Sequence, residues 1–555
     1  MKRKIAAAVS LSLLTVVAFT TINASTPVKR GGFVHVISAK QGVLIKNFNP
    51  FSPKLLHPTL GCFYEPLVFA NTYKGEVFPW LAKSFAWSKD LKTITFQLHD
   101  FVKWNDGTPF TADDVLFTLS LGKNNRALDR EGIWKKGLAS VEKLGRHSVA
   151  FTFETVNTAI LPSIGGIYIV PKHIWQSVEN PSTWTGNENP VGTGPFMFDT
   201  GSFTEQSYRL KRNPGYWQRG RDGKPLPYID GIQYIGATGN SQLAMKMISG
   251  EIDWGNVFIA NIDRLFVGRD PIHHRYWLPE GNMVYLNLNN AKAPFDSVKV
   301  RRAFAMAINQ KEITTIMASG ALPADLSGVK RGYRHWIGEK AKRHALSYDP
   351  DGARKMLEQE GYRKNADGIY ERDGVALSFD LYVPTGWTDW ITAVDTIRSQ
   401  LSKISVSARV TQVAWPSPFL TNIQKGRYDI SIDYVSSGFS PYYQYGFILP
   451  GRHWAPVGKD ASGHSQVRYR NPEVDKAFAA FARTADAAER QKQMDVVLTA
   501  VLRDTPLIPL FFNPTWFQYS TKRFVGWPDQ DNPYVAPKTW GMAKIPVFLN
   551  LQPVR

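Results

Sequence analysis

A single cysteine, Cys62, in 555 residues excludes any internal disulfide, so burial and hydrogen bonding alone must hold the fold. Within GCFYEPLVF that residue is expected to be a small buried apolar side chain. Long apolar runs are also missing. The one candidate, Ile5 to about Phe19, falls short of the roughly 18–20 residues that a membrane span requires. It follows Lys2, Arg3 and Lys4 and precedes the small residue Ala24, the order of an export signal, so residues 1–24 are expected to be cleaved outside the cytoplasm. Cys62 is too far from that point to take an N-terminal lipid anchor. The formal net charge of +19 is spread without a dense Lys/Arg run, and no zinc-finger, basic-zipper or RNA-binding motif organises it, which excludes nucleic acid as the expected partner.

Catalytic and cofactor signatures are equally scarce. There is no GxSxG elbow, HExxH, P-loop, GxGxxG fingerprint or CxxC. His273 and His274 are adjacent, so on a strand they point to opposite sides and do not form a two-ligand metal site. Asp113 and Asp114 follow Thr111 at the start of a helical pattern, where a capping hydroxyl and the helix dipole explain them better than paired acid–base chemistry does. No metal or cofactor is expected, and the chain reads as a binder rather than an enzyme.

What is abundant is aromatic surface in an α/β framework. The chain is too long for one core and implies two to four domains. In TITFQLHDFVKW, residues 93–104, Ile94, Phe96 and Leu98 alternate as one face of a strand. From 345 to 435 the pattern is helix from Asp349-Pro350 to Gln359 with a stop at Gly361, hairpin, strand 375–383, loop TGWTDW, helix 391–403, strand SVSARVTQV, helix SPFLTNIQKG and strand RYDISIDYV. Such an order makes an open α/β sheet, and ligands bind such sheets beyond the carboxyl ends of their strands. Trp387, following Pro384 and Gly386 at one such end, is thereby placed where a ligand would be.

The segments NFNPFSP (47–53), FYEPLVF and the stretch that follows to 119, VGTGPF (191–196), KRNPGYW (211–217), SGEIDW (249–254) and VRRAFAMAINQKEI (300–313) resemble the family 5 extracellular solute-binding proteins of bacterial ABC importers, over essentially the whole mature chain. The resemblance implies a two-lobed periplasmic binding protein fold with open α/β sheets, two hinge crossings and an extra subdomain in the N-terminal lobe. The expected limits are an N-terminal lobe over 25–282 with the subdomain at about 58–185, a middle lobe over 283–508 and a C-terminal return over 509–555, with crossings near 278–286 and 506–512. It also implies a monomeric periplasmic receptor that hands its ligand to an inner-membrane ABC permease.

Several segments, among them PTGWTDW and FFNPTWFQYSTKRFVGWPDQDNP, look most like the chitooligosaccharide- and cellobiose-binding branch. By that resemblance Trp387, Asp389 and Trp516 contact a β-linked saccharide. Tyr434 and Ser436 stand where chitooligosaccharide binders carry an Asn and a Phe, so a glucose-based ligand is as well supported as an acetamido sugar. Asn47 of NFNPFSP completes the expected site. The alternative is an oligopeptide, whose α-amine needs an Asp in this region. One alignment puts Ser437 there and another brings Asp433 near.

Overall fold

Two open sheets carry the molecule, and the chain passes between them twice. The computed structural model describes residues 27–38, 44–237, 240–259, 261–317, 320–461 and 465–554. The leader-like residues 1–24 lie outside these. The first sheet has the spatial order His274–Trp277, Phe517–Ser520, Trp254–Gly255, Phe33–Ile37, Gly231–Ile235, Ser207–Arg212, Phe196–Phe198. Phe33–Ile37 runs parallel to both of its neighbours, and the helix Lys544–Asn550 packs Ile545, Val547 and Phe548 into the same core as Val34, Val36 and Trp254. Cys62 is buried in that core as a free thiol.

The second sheet has the order Leu322–Pro323, Leu507–Pro514, Glu280–Leu288, Ile430–Val435, Ser378–Pro384, Ser407–Val413. Its last three strands are parallel, and parallel neighbours need a crossover, which the helix Thr388–Ser402 supplies between Ser378–Pro384 and Ser407–Val413. That helix begins three residues earlier than the expected 391. Gly386 turns the chain at φ +80°, Trp387 is the N-cap residue, and Thr388, Asp389 and Trp390 form the first turn rather than a loop. A carboxylate at this point is stabilised by the helix dipole. The helix Pro350–Gln359 is capped by Asp349, which accepts from the Gly352 N–H at 2.9 Å.

The chain leaves the first sheet after Trp277, enters the second at Glu280, and returns between Pro514 and Phe517. The second crossing therefore falls at Thr515–Trp516, later than the expected 506–512. Leu507–Pro514 pairs along Glu280–Leu288, so residues 509–514 and 280–282 stand in the second sheet. The run LIPLFFNP is buried almost throughout, and a strand covered on both faces shows no alternation to mark its end.

Within the first lobe, a subdomain sheet orders Ala82–Trp87, Thr93–Leu98, Ser148–Phe153 and Leu138–Gly145, with Ile94, Phe96 and Leu98 buried as their alternation requires. Its helix Ala112–Asn124 has a full capping box: the Thr111 N–H donates to Asp114 Oδ2 at 2.9 Å, and Thr111 Oγ1 accepts from the Asp113 N–H at 3.3 Å. Glu65 ties the subdomain to the lobe. Its Oε1 accepts from Trp80 Nε1 at 2.7 Å and from the Tyr216 hydroxyl at 2.8 Å, and its Oε2 from Trp217 Nε1 at 2.9 Å. Burial pushes this carboxyl up to about 7, against the pull of the three donors.

Candidate functional site

The direction of the strands decides which ends face the cleft. Glu280–Leu288 enters the second sheet at the hinge and pairs antiparallel with Ile430–Val435, Met283 opposite Val435. The carboxyl end of Ile430–Val435 therefore lies at the hinge, and Ser437 Oγ donates there to the Gly281 carbonyl at 2.8 Å. By parallel pairing the carboxyl ends of Ser378–Pro384 and Ser407–Val413 face the same way. The first lobe mirrors this: Phe517–Ser520 starts at the hinge and is antiparallel to Trp254–Gly255, whose carboxyl end leads to Phe258. Both sets of parallel strands thus end at the space between the lobes, the place where α/β sheets bind ligands.

Three aromatic rings meet at the second lobe's strand ends. Trp387 is half-buried, with its ring centroid 4.7 Å from that of buried Trp390 and 5.2 Å from that of half-buried Trp415. Tyr434, also half-buried, reaches Trp390 at 6.1 Å. Trp415 was missed in the sequence. Its signal was the AWPSP segment just beyond a strand, the same context as Trp387. Asp389 has no side-chain partner among the described residues. Burial pushes its carboxyl up, while backbone N–H groups of the first helical turn, its own and that of Trp390, pull it back. It is a hydrogen-bond acceptor held in place by the helix and not used up by the protein.

The remaining expected residues divide. Trp516 sits on the second crossing with its ring 6.0 Å from Phe258, on the first-lobe side of the cleft. Ser436 is exposed and, among the described residues, accepts only from the Gly438 N–H at 3.3 Å. Asn47 turns inward: its Oδ1 accepts from the Asn49 N–H at 3.0 Å and its Nδ2 donates to Ser52 Oγ at 3.3 Å, a local turn of the first lobe. Asp433 is buried inside the second lobe opposite Tyr285, on the other face of the strand from Tyr434. Its Oδ1 accepts from the Tyr434 N–H at 2.7 Å, its Oδ2 has no partner among the described residues, and burial pushes the carboxyl up to about 7. His274 stacks on Phe266 at 4.2 Å and holds that residue's carbonyl through Nδ1 at 2.8 Å, a packing role.

The lobes also touch away from the hinge. Thr158 of the subdomain donates through Oγ1 to the Thr484 carbonyl at 2.5 Å and accepts from Arg490 Nη2 at 2.7 Å, and the Tyr443 hydroxyl donates to the Ala159 carbonyl at 2.7 Å. On the hairpin side, the Tyr333 hydroxyl donates to the Thr72 carbonyl. Contacts that exist only when the lobes are together bias the equilibrium toward closure. Thr158→Val, which removes two of them, is expected to enlarge the radius of gyration of the ligand-free protein and to weaken ligand binding about fivefold, for a loss of about 1 kcal/mol. Small-angle scattering with titration checks this, and an unchanged radius would show that these contacts do not set the lobe angle.

Two α/β lobes, joined by two crossings and opening their strand ends onto a shared cleft, define a solute-binding protein of the periplasmic type. The chain belongs to the bacterial extracellular solute-binding proteins, family 5, whose model matches residues 76–453. It is 24% identical to the nickel-binding periplasmic protein of Escherichia coli over 486 residues, 84% of this chain and 87% of that one. To the glutathione-binding protein of Salmonella typhimurium it is 25% identical over 485 residues, again 84% and 87%. The periplasmic oligopeptide-binding protein of Thermotoga maritima superposes with a TM-score of 0.83 at 25% identity, covering 94% of this chain and 99% of that one. A mannohexaose-bound structure of the same protein gives 0.75 at 25% identity, with 95% and 99% covered. The chain is accordingly a binding component of an ABC importer and not an enzyme. No helix among the described residues is long and apolar enough to cross a membrane.

Proposed function

We propose that this receptor captures a β-linked di- or oligosaccharide by lobe closure and delivers it to an inner-membrane ABC permease. The observation that carries the reading is the Trp387–Trp415 pair beside Asp389 at the strand ends of the second lobe. A β-linked pyranose presents a flat C–H face to an aromatic ring and a rim of hydroxyls to a carboxylate. Covering ~100 Å² of apolar surface at ~25 cal/mol per Å² contributes roughly 2.5 kcal/mol before entropic costs. The mannohexaose-bound relative supports a saccharide in this fold.

The other printed names, oligopeptide, nickel and glutathione, favour the alternative, an oligopeptide, over the saccharide, and none of them points to the chitooligosaccharide or cellobiose branch. Within the chain, the two positions that would hold a peptide's α-amine weigh the other way. The Ser437 hydroxyl is engaged with the Gly281 carbonyl, and Asp433 is buried on the opposite face. A calorimetric screen of the mature protein against cellobiose, chitobiose, laminaribiose, mannohexaose and a tripeptide pool separates the two. A saccharide dissociation constant of about 1 μM or tighter, nearly independent of salt, is expected. Binding confined to the tripeptides would replace this reading with the peptide one.

A further inference from the structure

Inside the second lobe a group of polar side chains shares one face of the sheet. Tyr285 stands directly opposite Asp433, and Asn287 opposite Ser431, across the antiparallel pair Glu280–Leu288 and Ile430–Val435, and residues two apart on a strand point the same way. All four side chains are buried, as are Tyr428 and Gln466. The Tyr428 hydroxyl lies 2.9 Å from Asn287 Oδ1 and against the Gln466 carbonyl, which ties the turn before the strand and the segment Ser465–Val467 to the group. Yet Asp433 Oδ2, Ser431 Oγ, Asn287 Nδ2, the Tyr285 hydroxyl and Gln466 Oε1 have no hydrogen-bond partner among the described residues. Buried polar atoms are almost always matched, so this group marks a place where the fold carries a penalty. No Lys, Arg or His among the described residues pairs with Asp433. The titratable groups of the same core are Tyr285 and Tyr428, whose phenols burial pushes up, and Tyr445 of the helix Pro441–Gly446, which donates to the Ser327 carbonyl. Arg468, beyond Tyr428, directs Nη1 and Nη2 to the carbonyls of Ala455, Pro456, Gln424 and Lys459. The helix Ala487–Asp504 brings Met494, Val497, Leu498 and Val501 to this core.

A carboxylate without a counter-ion is too costly to bury, so Asp433 is folded in as a neutral acid. Its position couples it to the cleft. Pairing of Ile430–Val435 with Ser378–Pro384 ends at Tyr382 opposite Ser431, which leaves residues 432–435 laddered on one side only. There Asp433 Oδ1 accepts the Tyr434 N–H at 2.7 Å, and the Tyr434 ring stands 6.1 Å from Trp390, which in turn backs Trp387 at 4.7 Å. We propose that Asp433 is a proton-dependent positioning residue: as a neutral acid it fixes the cleft end of Ile430–Val435, and loss of its proton puts an unmatched charge in the group and releases residues 432–435 with Tyr434. The inference does not depend on which solute the cleft takes. Its sign follows from burial, which pushes the carboxyl from 3.8 up to about 7: the order is complete below pH 3.8 and is lost as pH rises through 7.

The test is hydrogen–deuterium exchange of the whole ligand-free protein at pH 5 and pH 8, with labelling times scaled to the intrinsic exchange rate. Opening of residues 431–436 is expected to be at least about tenfold more frequent at the higher pH. Asp433→Asn stays neutral and keeps an acceptor for the Tyr434 N–H, so it is expected to hold the wild type's pH 5 protection at both values. Asp433→Ala loses the acceptor and is expected to open more than Asp433→Asn at both, with no pH dependence. A flat wild-type profile overturns the proposal, as does a profile equally steep in a folded variant, or an Asp433→Ala protein as well protected as Asp433→Asn. Melting curves establish that each variant is folded. Should one fail to fold, the other decides beside the wild type, because neither replacement side chain titrates.

Discussion

Trp387→Ala is expected to weaken saccharide binding about thirtyfold, a loss of ~2 kcal/mol, because it removes one face of the platform that Trp387 and Trp415 form together. The protein should stay folded. Trp387 is half-buried and borders the second-lobe core, so losing its contacts with Trp390 and Trp415 costs about 1 kcal/mol of stability rather than the 3–5 kcal/mol of a fully buried Trp. Trp415→Ala should act in the same direction. Asp389→Ala should weaken binding more than Asp389→Asn, since the amide keeps one acceptor for a sugar hydroxyl that would otherwise be unpaired in the closed cleft. Trp516→Ala reports on the opposite wall. Titrations at low and high ionic strength, run beside thermal melts, check the set. A Trp387→Ala protein that binds as tightly as the parent but melts lower would make this tryptophan a packing residue only.

Glu65→Ala is expected to produce the largest loss of stability, on the order of 4 kcal/mol. It strands the Trp80 and Trp217 indole N–H groups and the Tyr216 hydroxyl in a buried site, at about 1–3 kcal/mol each. Glu65→Gln should cost less, because the amide oxygen still accepts while its NH₂ opposes one indole donor. The pH dependence has a definite sign. The folded carboxyl at about 7 lies above the ordinary 4.5, so its contribution is fully present below pH 4.5 and is lost as pH rises through 7. The whole swing is on the order of 3 kcal/mol. Urea unfolding followed by tryptophan fluorescence should therefore separate parent and Glu65→Gln more widely at pH 5 than at pH 8. A separation that grows with pH would mean that the carboxylate is ionised in the folded protein throughout this range.

The sequence showed the parts whose physics is local. Thr111 with Asp113 and Asp114, Asp349-Pro350 and the alternation of Ile94, Phe96 and Leu98 each encode their own cap or face, and each forms as its residues dictate. The start of the helix Thr388–Ser402 was misplaced because Pro384 and Gly386 mark a turn without saying how soon the helix follows. The crossing at Thr515–Trp516 was hidden inside an unbroken apolar strand. Of the candidate site, the position of Trp387 beyond a strand end was legible, because Pro384 and Gly386 mark that end in the chain. The site was illegible where residues meet only through the fold. Trp415 lies 28 positions from the ring it touches. Asn47 belongs to a local turn whose hydrogen bonds use up its amide, a commitment that residue type alone does not reveal.

Hydrogen–deuterium exchange of the wild-type protein, with and without a saturating saccharide shown by calorimetry to bind, tests the central claim most directly. A solute held between the lobes should slow exchange together in residues 385–391 and 414–419 of the second lobe and around Phe258 and Trp516 on the facing side. Binding with protection confined to one lobe, or with none at the Trp387 and Trp415 segments, would contradict capture in this cleft.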